Sequence, residues 1–276
     1  MRIDAHQHFW RYDPVRDDWI TPEMSVLQRD FMPRDLLPLL GKNGVAGSVA
    51  VQAAQSEEET RFLLGLAEEH EEVLGVVGWV DLLSPDLPER LEELARSPRL
   101  RGVRHIAQAE PDEFLTREGV LRGIGELRRF GLTYDILVYS RQLPAALALV
   151  ERLPDQPFVV DHLAKPPISA GVLEPWASMM QAMARRPNVW CKVSGMVTEA
   201  DWAGWRHGDF EPYFQVVLDA FGPERLMFGS DWPVCLLAAQ YADAVELAET
   251  LTEPLSASER ARVFGENAVA FYGLTI

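Results

Sequence analysis

Short apolar runs, separated by stretches with helical periodicity, recur along the whole chain. The apolar runs are continuous rather than alternating with polar residues, which is typical of parallel strands buried on both faces. The pattern predicts eight strands, over residues 2–8, 46–52, 74–80, 101–105, 133–138, 158–162, 188–193 and 226–231.

Amphipathic helices are predicted between these strands. Ser56 with Glu59, and Ser256 with Glu259, form capping-box patterns at two helix starts. Eight strand–helix repeats predict an α/β fold, a (β/α)8 TIM barrel. A doubly wound open sheet is the alternative. That fold usually carries a glycine-rich phosphate turn after its first strand, and this chain has His-Gln-His there.

The length of 276 residues fits a single barrel domain over 1–276. One connection breaks the repeat, a long irregular stretch at 9–33 that contains Trp10, Tyr12 and Trp19. Loops of this length are often lids or binding loops. We expect it to lie over the barrel mouth, where its function is substrate binding or simple packing on the rim.

The overall charge restricts the classes of partner. A net charge of −16 argues against nucleic acid, whose binding depends on basic patches. No apolar run is long enough for a membrane span, and the N-terminus lacks a signal-peptide pattern. Two cysteines, Cys191 and Cys235, do not make a disulfide framework. We expect a cytoplasmic protein without a membrane partner, and a homodimer is a reasonable prior.

Polar and ionisable side chains follow almost every predicted strand. In a barrel the carboxyl ends of the strands meet at one mouth, where active sites are built. His6 and His8 are separated by one residue, so in a strand they share a face. The other strand ends supply Gln52, Trp79, Asp81, Arg104, His105, Asp135, His162, Lys192 and Asp231. Such a set indicates an active site, because buried ionisable groups are costly unless paired or used.

Several of these positions also have a structural interpretation. Asp231 before Trp-Pro suits a general base or a helix cap. Lys192 is a candidate for function or for an ion pair. His162 is preferred over its neighbour Asp161, since adjacent strand residues face opposite ways. Arg104 and His105 are also adjacent and are expected to point to opposite faces of the sheet, although either side chain can reach a site near a strand end.

The ordered motifs resemble those of the amidohydrolase superfamily, and within it the sugar lactonase branch. That branch contains L-fuconolactonase-like, L-rhamnonolactonase-like and 2-pyrone-4,6-dicarboxylate lactonase-like hydrolases. The matching stretches are DAHQHFW, RDFMPRDLLPLL, VQAAQSEEET, GVRH, VVDHLAKPP, CKVSGMVTEADW and FGSDWPV. They cover nearly the whole chain. The resemblance implies a TIM barrel, a hydrolase and a place in L-fucose catabolism.

The resemblance leaves the metal open. Two-metal members carry a carboxylated lysine or glutamate on strand four and a histidine on strand five, whereas these strands end here in Arg104–His105 and Asp135. No metal is required in some members of the branch. One divalent ion, with Zn²⁺ chemically reasonable, would be held by His6, His8, His162 and Asp231.

The resulting hypothesis is hydrolysis of an L-fucono- or L-rhamnonolactone to the aldonic acid. Asp231 would activate water, and His6, His8 and His162 would position it or stabilise the oxyanion. The expected substrate-binding residues are Arg104, Lys192, Gln52, Asp135, His105, Trp19, Trp79 and Trp232. The alternatives are a Zn-dependent amidohydrolase or decarboxylase acting on a small carboxylate, and a non-catalytic sugar-binding barrel.

Overall fold

Eight parallel strands form one sheet whose strand order follows the chain. The computed structural model describes residues 1–276. The strands are Arg2–Gln7 (β1), Val45–Val51 (β2), Val73–Gly78 (β3), Leu100–His105 (β4), Thr133–Ile136 (β5), Phe158–Val160 (β6), Val189–Val193 (β7) and Leu226–Phe228 (β8). All eight predicted strands are present, several with shorter carboxyl ends.

The sheet closes into a barrel where the last strand meets the first. The seam is formed by hydrogen bonds from the His8 amide to the Trp232 carbonyl at 2.7 Å and from the Asp231 amide to the His6 carbonyl at 2.8 Å. The predicted (β/α)8 TIM barrel is therefore confirmed. Its first and last strands join at candidate site residues.

A helix follows each strand on the outside of the barrel. These helices are Pro33–Lys42 (α1), Glu57–Glu69 (α2), Leu87–Leu94 (α3), Glu118–Leu127 (α4), Leu143–Arg152 (α5), Trp176–Ala184 (α6), Glu211–Phe221 (α7) and Tyr241–Leu251 (α8). Two short helices, Ala257–Ala261 (α9) and Asn267–Tyr272 (α10), complete the chain and flank a π-helical turn at Arg262–Glu266. The Ser56 hydroxyl accepts from the Glu59 amide at the start of α2, as the capping pattern predicted.

The apolar core lies in two places. A large cluster fills the layer between the strands and the outer helices. A smaller one, which includes Ile3, Val49, Val159 and Met227, fills the lower barrel and is closed by Tyr272 of α10. Above it the barrel interior becomes charged. None of the helices has the length and apolar character needed to cross a bilayer.

Residues 9–33 run across the barrel mouth. The segment carries a 3-10 helix at Pro22–Leu27 and is pinned by an antiparallel bridge between Trp10 and Phe31. The Trp10 indole N–H donates to the Arg29 carbonyl at 3.0 Å. The long connection is therefore an ordered wall of the mouth.

Candidate active site

One large cavity, about 750 Å³, opens at the carboxyl ends of the strands. This volume lies in the range of small-molecule sites. His8, Arg104, His162 and Asp231 line its floor, together with side chains of the 9–33 segment that include Trp10, Arg16 and Trp19. The cavity is where the barrel architecture predicts an active site.

His6, His8 and Asp231 converge at the floor. The Nε2 atoms of the two histidines lie 3.2 Å apart. Asp231 Oδ1 lies 3.4 Å from His8 Nε2 and 3.8 Å from His6 Nε2. The His8 Nδ1–H donates to the Val51 carbonyl at 2.7 Å, which leaves the Nε2 lone pair facing the cluster. The seam between β1 and β8 thus aligns two imidazoles with one carboxylate.

His162 completes the group from the β6 side. Its Nε2 lies 3.8 Å from Asp231 Oδ1, and its Nδ1 lies 2.9 Å from the Ser194 hydroxyl. A Cβ on Gly195 would come within 2.5 Å of His162 Nδ1, and Gly195 has φ +62°. Only glycine fits this position, because it leaves room for the imidazole and tolerates the backbone angle.

The backbone at the floor is strained. His162, Leu163, Ala164 and Lys165 are all left-handed, with φ between 50° and 56°, and Asp231 has φ 58°. Each such non-glycine residue costs of order 1–2 kcal/mol. The strain explains why β6 and β8 end earlier than predicted, since their last expected residues turn inward rather than extend the strand.

Asp4 anchors the Asp231 segment from below. Its carboxylate accepts from the Ser230 amide at 2.9 Å and from the Ser230 hydroxyl at 2.5 Å, and also from the Tyr241 hydroxyl at 3.2 Å. Burial raises the pKa of Asp4 to about 6, although these hydrogen bonds oppose the shift. Asp4 was absent from the predicted set, because its place in β1 looks like an ordinary strand position.

Arg104 crosses the floor at the end of β4. Its guanidinium contacts Asp161 Oδ2 at 3.0 Å, the Gln52 side-chain oxygen at 3.0 Å and His6 Nε2 at 3.3 Å. It also donates to the Gln52 backbone carbonyl. Arg104 lines the cavity, whereas Gln52 lies behind it and holds the guanidinium.

Asp161 faces the same interior as His162, contrary to the parity expectation. The chain leaves the extended conformation after Val160, so strand alternation stops applying there. Burial would raise the pKa of Asp161, but the charge of Lys192, a hydrogen bond from His6 and the charge of Arg104 hold that pKa well below its usual value. The adjacent Asp161 and His162 both belong to the site, so the Asp-His pair as a whole is the signal that the sequence contains.

Lys192 and Asp135 form a charged layer beneath the cavity. Lys192 Nζ lies 2.6 Å from Asp135 Oδ2, 3.0 Å from Asp161 Oδ1 and 3.0 Å from His6 Nδ1. The Tyr272 hydroxyl donates to Asp135 Oδ2 at 2.7 Å. Burial raises the pKa of Asp135 to about 6. Both residues are completely buried, so they support His6 and Asp161 rather than line the cavity.

The predicted aromatic and histidine positions divide between the cavity and its surroundings. Trp19 lines the mouth and is 38% exposed. Trp79 instead donates to His105 Nδ1 at 3.3 Å, and His105 stacks on Phe114. Trp232 is buried against Phe31. Of these four residues, the cavity therefore receives only Trp19.

Burial keeps the imidazoles of His6 and His162 neutral. It lowers the pKa of His162 to about 4, and together with the charge of Lys192 it lowers the pKa of His6 far below its usual value. Burial opposes ionisation of Asp231, but the neighbouring His162, His8 and His6 hold its pKa well below the ordinary range. At neutral pH the site therefore combines an ionised Asp231 with neutral imidazoles at His6 and His162.

This donor set fits one divalent metal ion. His6, His8 and Asp231 each offer an atom within a single small cluster. Neutral imidazole nitrogens with a carboxylate oxygen are ligands that Zn²⁺ accepts. His6 Nε2 faces this cluster, and Lys192 Nζ and the Arg104 guanidinium approach the same ring, at 3.0 Å from Nδ1 and 3.3 Å from Nε2. The positive Arg104 beside His6 argues against a second ion.

Comparison with known proteins places the chain in a family. The amidohydrolase family model matches residues 3–274. The chain belongs to this family. The expected resemblance is therefore confirmed.

Two named relatives and one solved structure are similar over essentially the full length. L-fucono-1,5-lactonase of Burkholderia multivorans is 44% identical, over 99% of this chain and 96% of the relative. L-fucono-1,5-lactonase of Burkholderia ambifaria is 43% identical, over 99% and 95%. The crystal structure of a Burkholderia multivorans amidohydrolase with bound Zn has a TM-score of 0.96 and 44% identity, with complete coverage of both chains.

Proposed function

We propose that this amidohydrolase opens a sugar lactone of the L-fuconolactone type to its aldonic acid. The observation that carries the proposal is the buried Asp231 carboxylate, which faces His8 and His162 at the floor of a cavity. The names of the two lactonase relatives support it, as does the match over almost the whole of each. L-rhamnonolactone is the other aldonolactone to test, and L-fucose breakdown is the corresponding metabolic setting.

Asp231 acts as the general base in this proposal. Its carboxylate accepts a proton from the attacking water, and the new C–O bond forms at the lactone carbonyl carbon. The tetrahedral intermediate then collapses, and the ring C–O bond breaks. Protonated Asp231 returns the proton to the departing ring oxygen, which becomes the hydroxyl group of the aldonic acid. The overall reaction adds one water molecule across the lactone C–O bond.

Arg104 stabilises the charge that develops on the carbonyl oxygen. It lines the cavity and is held by Asp161 and Gln52, so its guanidinium is fixed before the substrate arrives. A pre-oriented donor in a site with little water is more effective than a mobile one. His162, which bonds to Ser194, is placed to orient the attacking water next to Asp231.

A Zn²⁺ ion would be held by His6, His8 and Asp231, with His162 as a further neighbour. When bound, it supplies Lewis-acid polarisation and makes a bound water more acidic. The Zn-containing amidohydrolase with 44% identity supports this option. The proposed lactonase reaction uses the same chain residues whether or not an ion is required.

Acid release from aldonolactones tests the function. We expect a pH indicator to report rapid turnover of L-fucono-1,5-lactone, well above its spontaneous hydrolysis. Parallel reactions with a chelator and with added Zn²⁺ decide the metal requirement. Absence of turnover under every metal condition would refute the lactonase proposal, and it would favour the amide, decarboxylase or sugar-binding alternatives.

A further inference from the structure

A charged pair, Lys165 with Glu199, forms part of the cavity wall and has no role in the mechanism above. Lys165 Nζ lies 2.8 Å from Glu199 Oε1, and both side chains are largely buried, with 16% and 20% exposed. Both residues line the cavity. An ion pair at this depth contributes little net stability, because desolvation offsets much of the attraction. Its position therefore calls for another explanation.

The strained turn after β6 is what directs Lys165 into the cavity. The Lys165 amide donates to the His162 carbonyl at 2.8 Å, which closes a tight turn between the two residues. Residues three apart in such a turn project on the same side. His162 and Lys165 both line the cavity as a result. The backbone strain thus places a second functional group beside the catalytic floor.

The surroundings of the pair match the chemistry of a sugar ring. Lys165 Nζ lies 5.8 Å from the centre of the Tyr139 ring, a cation–π distance. Thr198 and Trp202 flank Glu199 on the same wall. An ammonium donor beside a carboxylate acceptor complements two adjacent hydroxyl groups, one accepting and one donating. The aromatic faces suit the C–H surface of the ring.

We propose that Lys165 and Glu199 bind a pair of vicinal ring hydroxyls and so select polyhydroxylated lactones. This inference rests on the proposed lactonase function, because it assigns the part of the substrate away from the carbonyl. Lys165 donates to one hydroxyl oxygen, and a neighbouring hydroxyl donates to Glu199. A lactone without these hydroxyls would leave Lys165 and Glu199 without hydrogen bonds to the substrate. Its transition state would then be bound less tightly, which lowers kcat/KM.

The test compares L-fucono-1,5-lactone with δ-valerolactone, the bare six-membered ring. We expect wild-type protein to prefer the hydroxylated substrate in kcat/KM, and Lys165→Met and Glu199→Gln each to reduce that preference about 10–100-fold. Lys165→Arg, which keeps the charge, should restore part of the preference. Glu118→Gln is the control, since it breaks an exposed ion pair with Arg152. Equal losses on both substrates, or an unchanged preference, would overturn the proposal.

Binding of a 1,5-anhydroalditol, which keeps the ring hydroxyls and lacks the carbonyl, separates this proposal from the lactonase function. Calorimetry should show binding to wild-type protein that Lys165→Met weakens at least 10-fold. An inactive wild type that still shows this difference would refute the lactonase reaction and retain the hydroxyl site. An active wild type whose anhydroalditol affinity is unaltered in the variant would refute the hydroxyl site alone.

Discussion

Removing the Lys192 charge should lower the free energy of unfolding, and the size of the loss follows from the buried charges around Lys192. Two cations, Lys192 and Arg104, face two carboxylates, Asp135 and Asp161, and all four side chains are at most 3% exposed. Lys192→Met leaves the two carboxylates with one cation. Breaking a buried pair in this way costs about 3–5 kcal/mol.

The corresponding shift in melting temperature follows from the size of the protein. An unfolding entropy near 2.1 cal/mol/K per residue gives about 0.6 kcal/mol/K for 276 residues. A loss of about 4 kcal/mol then lowers Tm by about 7 °C. Thermal melts followed by circular dichroism measure this directly. Lys42→Met, at an exposed position on α1, is the matched control and should leave Tm within about 1 °C.

The loss should also depend on pH, with a definite sign. Burial already raises the pKa of Asp135 to about 6, and removal of Lys192 raises that pKa further. A carboxyl whose folded pKa exceeds its unfolded value destabilises the fold as pH rises. The Lys192→Met penalty is therefore largest near pH 8 and shrinks towards pH 5.5. Asp135→Asn in the same chain should recover part of it, because the layer is neutral again.

Two results would refute this reasoning. The first is a Lys192→Met variant that melts within about 2 °C of the wild type at pH 8. The second is a loss of the same size at pH 5.5 and pH 8. Either would mean that the buried charges do not act as one balanced group.

Four further predictions concern the floor and mouth of the cavity. Asp231→Asn should lower kcat at least about 1000-fold in the lactone assay while Tm changes little, because it removes the base. Wild type should lose about 3 kcal/mol of stability between pH 6.5 and pH 4, because burial lowers the pKa of His162 to about 4 and charging the buried ring is unfavourable. His162→Gln should abolish this loss, and urea unfolding at several pH values measures the difference. Arg104→Met should lower kcat/KM yet tighten Zn²⁺ binding in a chelator competition, because a positive charge leaves the His6 side of the cluster. Trp19→Ala should raise KM about 3–10-fold with little change in kcat, as expected for loss of uniform binding surface.

Each of these predictions has an opposing result. Substantial turnover by Asp231→Asn would remove its role as base. If the difference in unfolding free energy between wild type and His162→Gln does not change with pH, the acid sensitivity arises from another residue. Weaker Zn²⁺ binding in Arg104→Met would mean that the arginine orders the ligands more than it repels the ion. A selective kcat loss in Trp19→Ala would make that ring part of the transition-state contacts.

The sequence predicted the barrel because its strands are continuously apolar and its helices amphipathic, two patterns that depend only on local residues. Strand-end chemistry likewise located His8, Arg104, His162 and Asp231 at one cavity. The errors of detail arise where the backbone departs from a regular strand. The parity rule that favours His162 over Asp161 stops applying after Val160, because the backbone is left-handed from His162 onward.

The sequence also does not show how deep in the barrel each strand-end side chain lies. Lys192 and Asp135 end their strands as polar residues, just as Arg104 does, yet they lie one layer lower and are fully buried. Strand register and tilt decide this depth, and neither is visible in a hydrophobic pattern. Lys165 and Glu199 come from irregular turns beyond the strands, so strand-end reasoning gave no reason to pair them.

The seam between β1 and β8 ties chemistry to the completion of folding. The backbone amides and carbonyls that close the barrel belong to His6, His8, Asp231 and Trp232, so the first and last strands meet within the reaction centre itself. An open sheet at this seam would separate His6 and His8 from Asp231, so the site exists only in the closed barrel. Turnover therefore also measures barrel closure, because only molecules with a closed seam hold the two histidines beside the carboxylate.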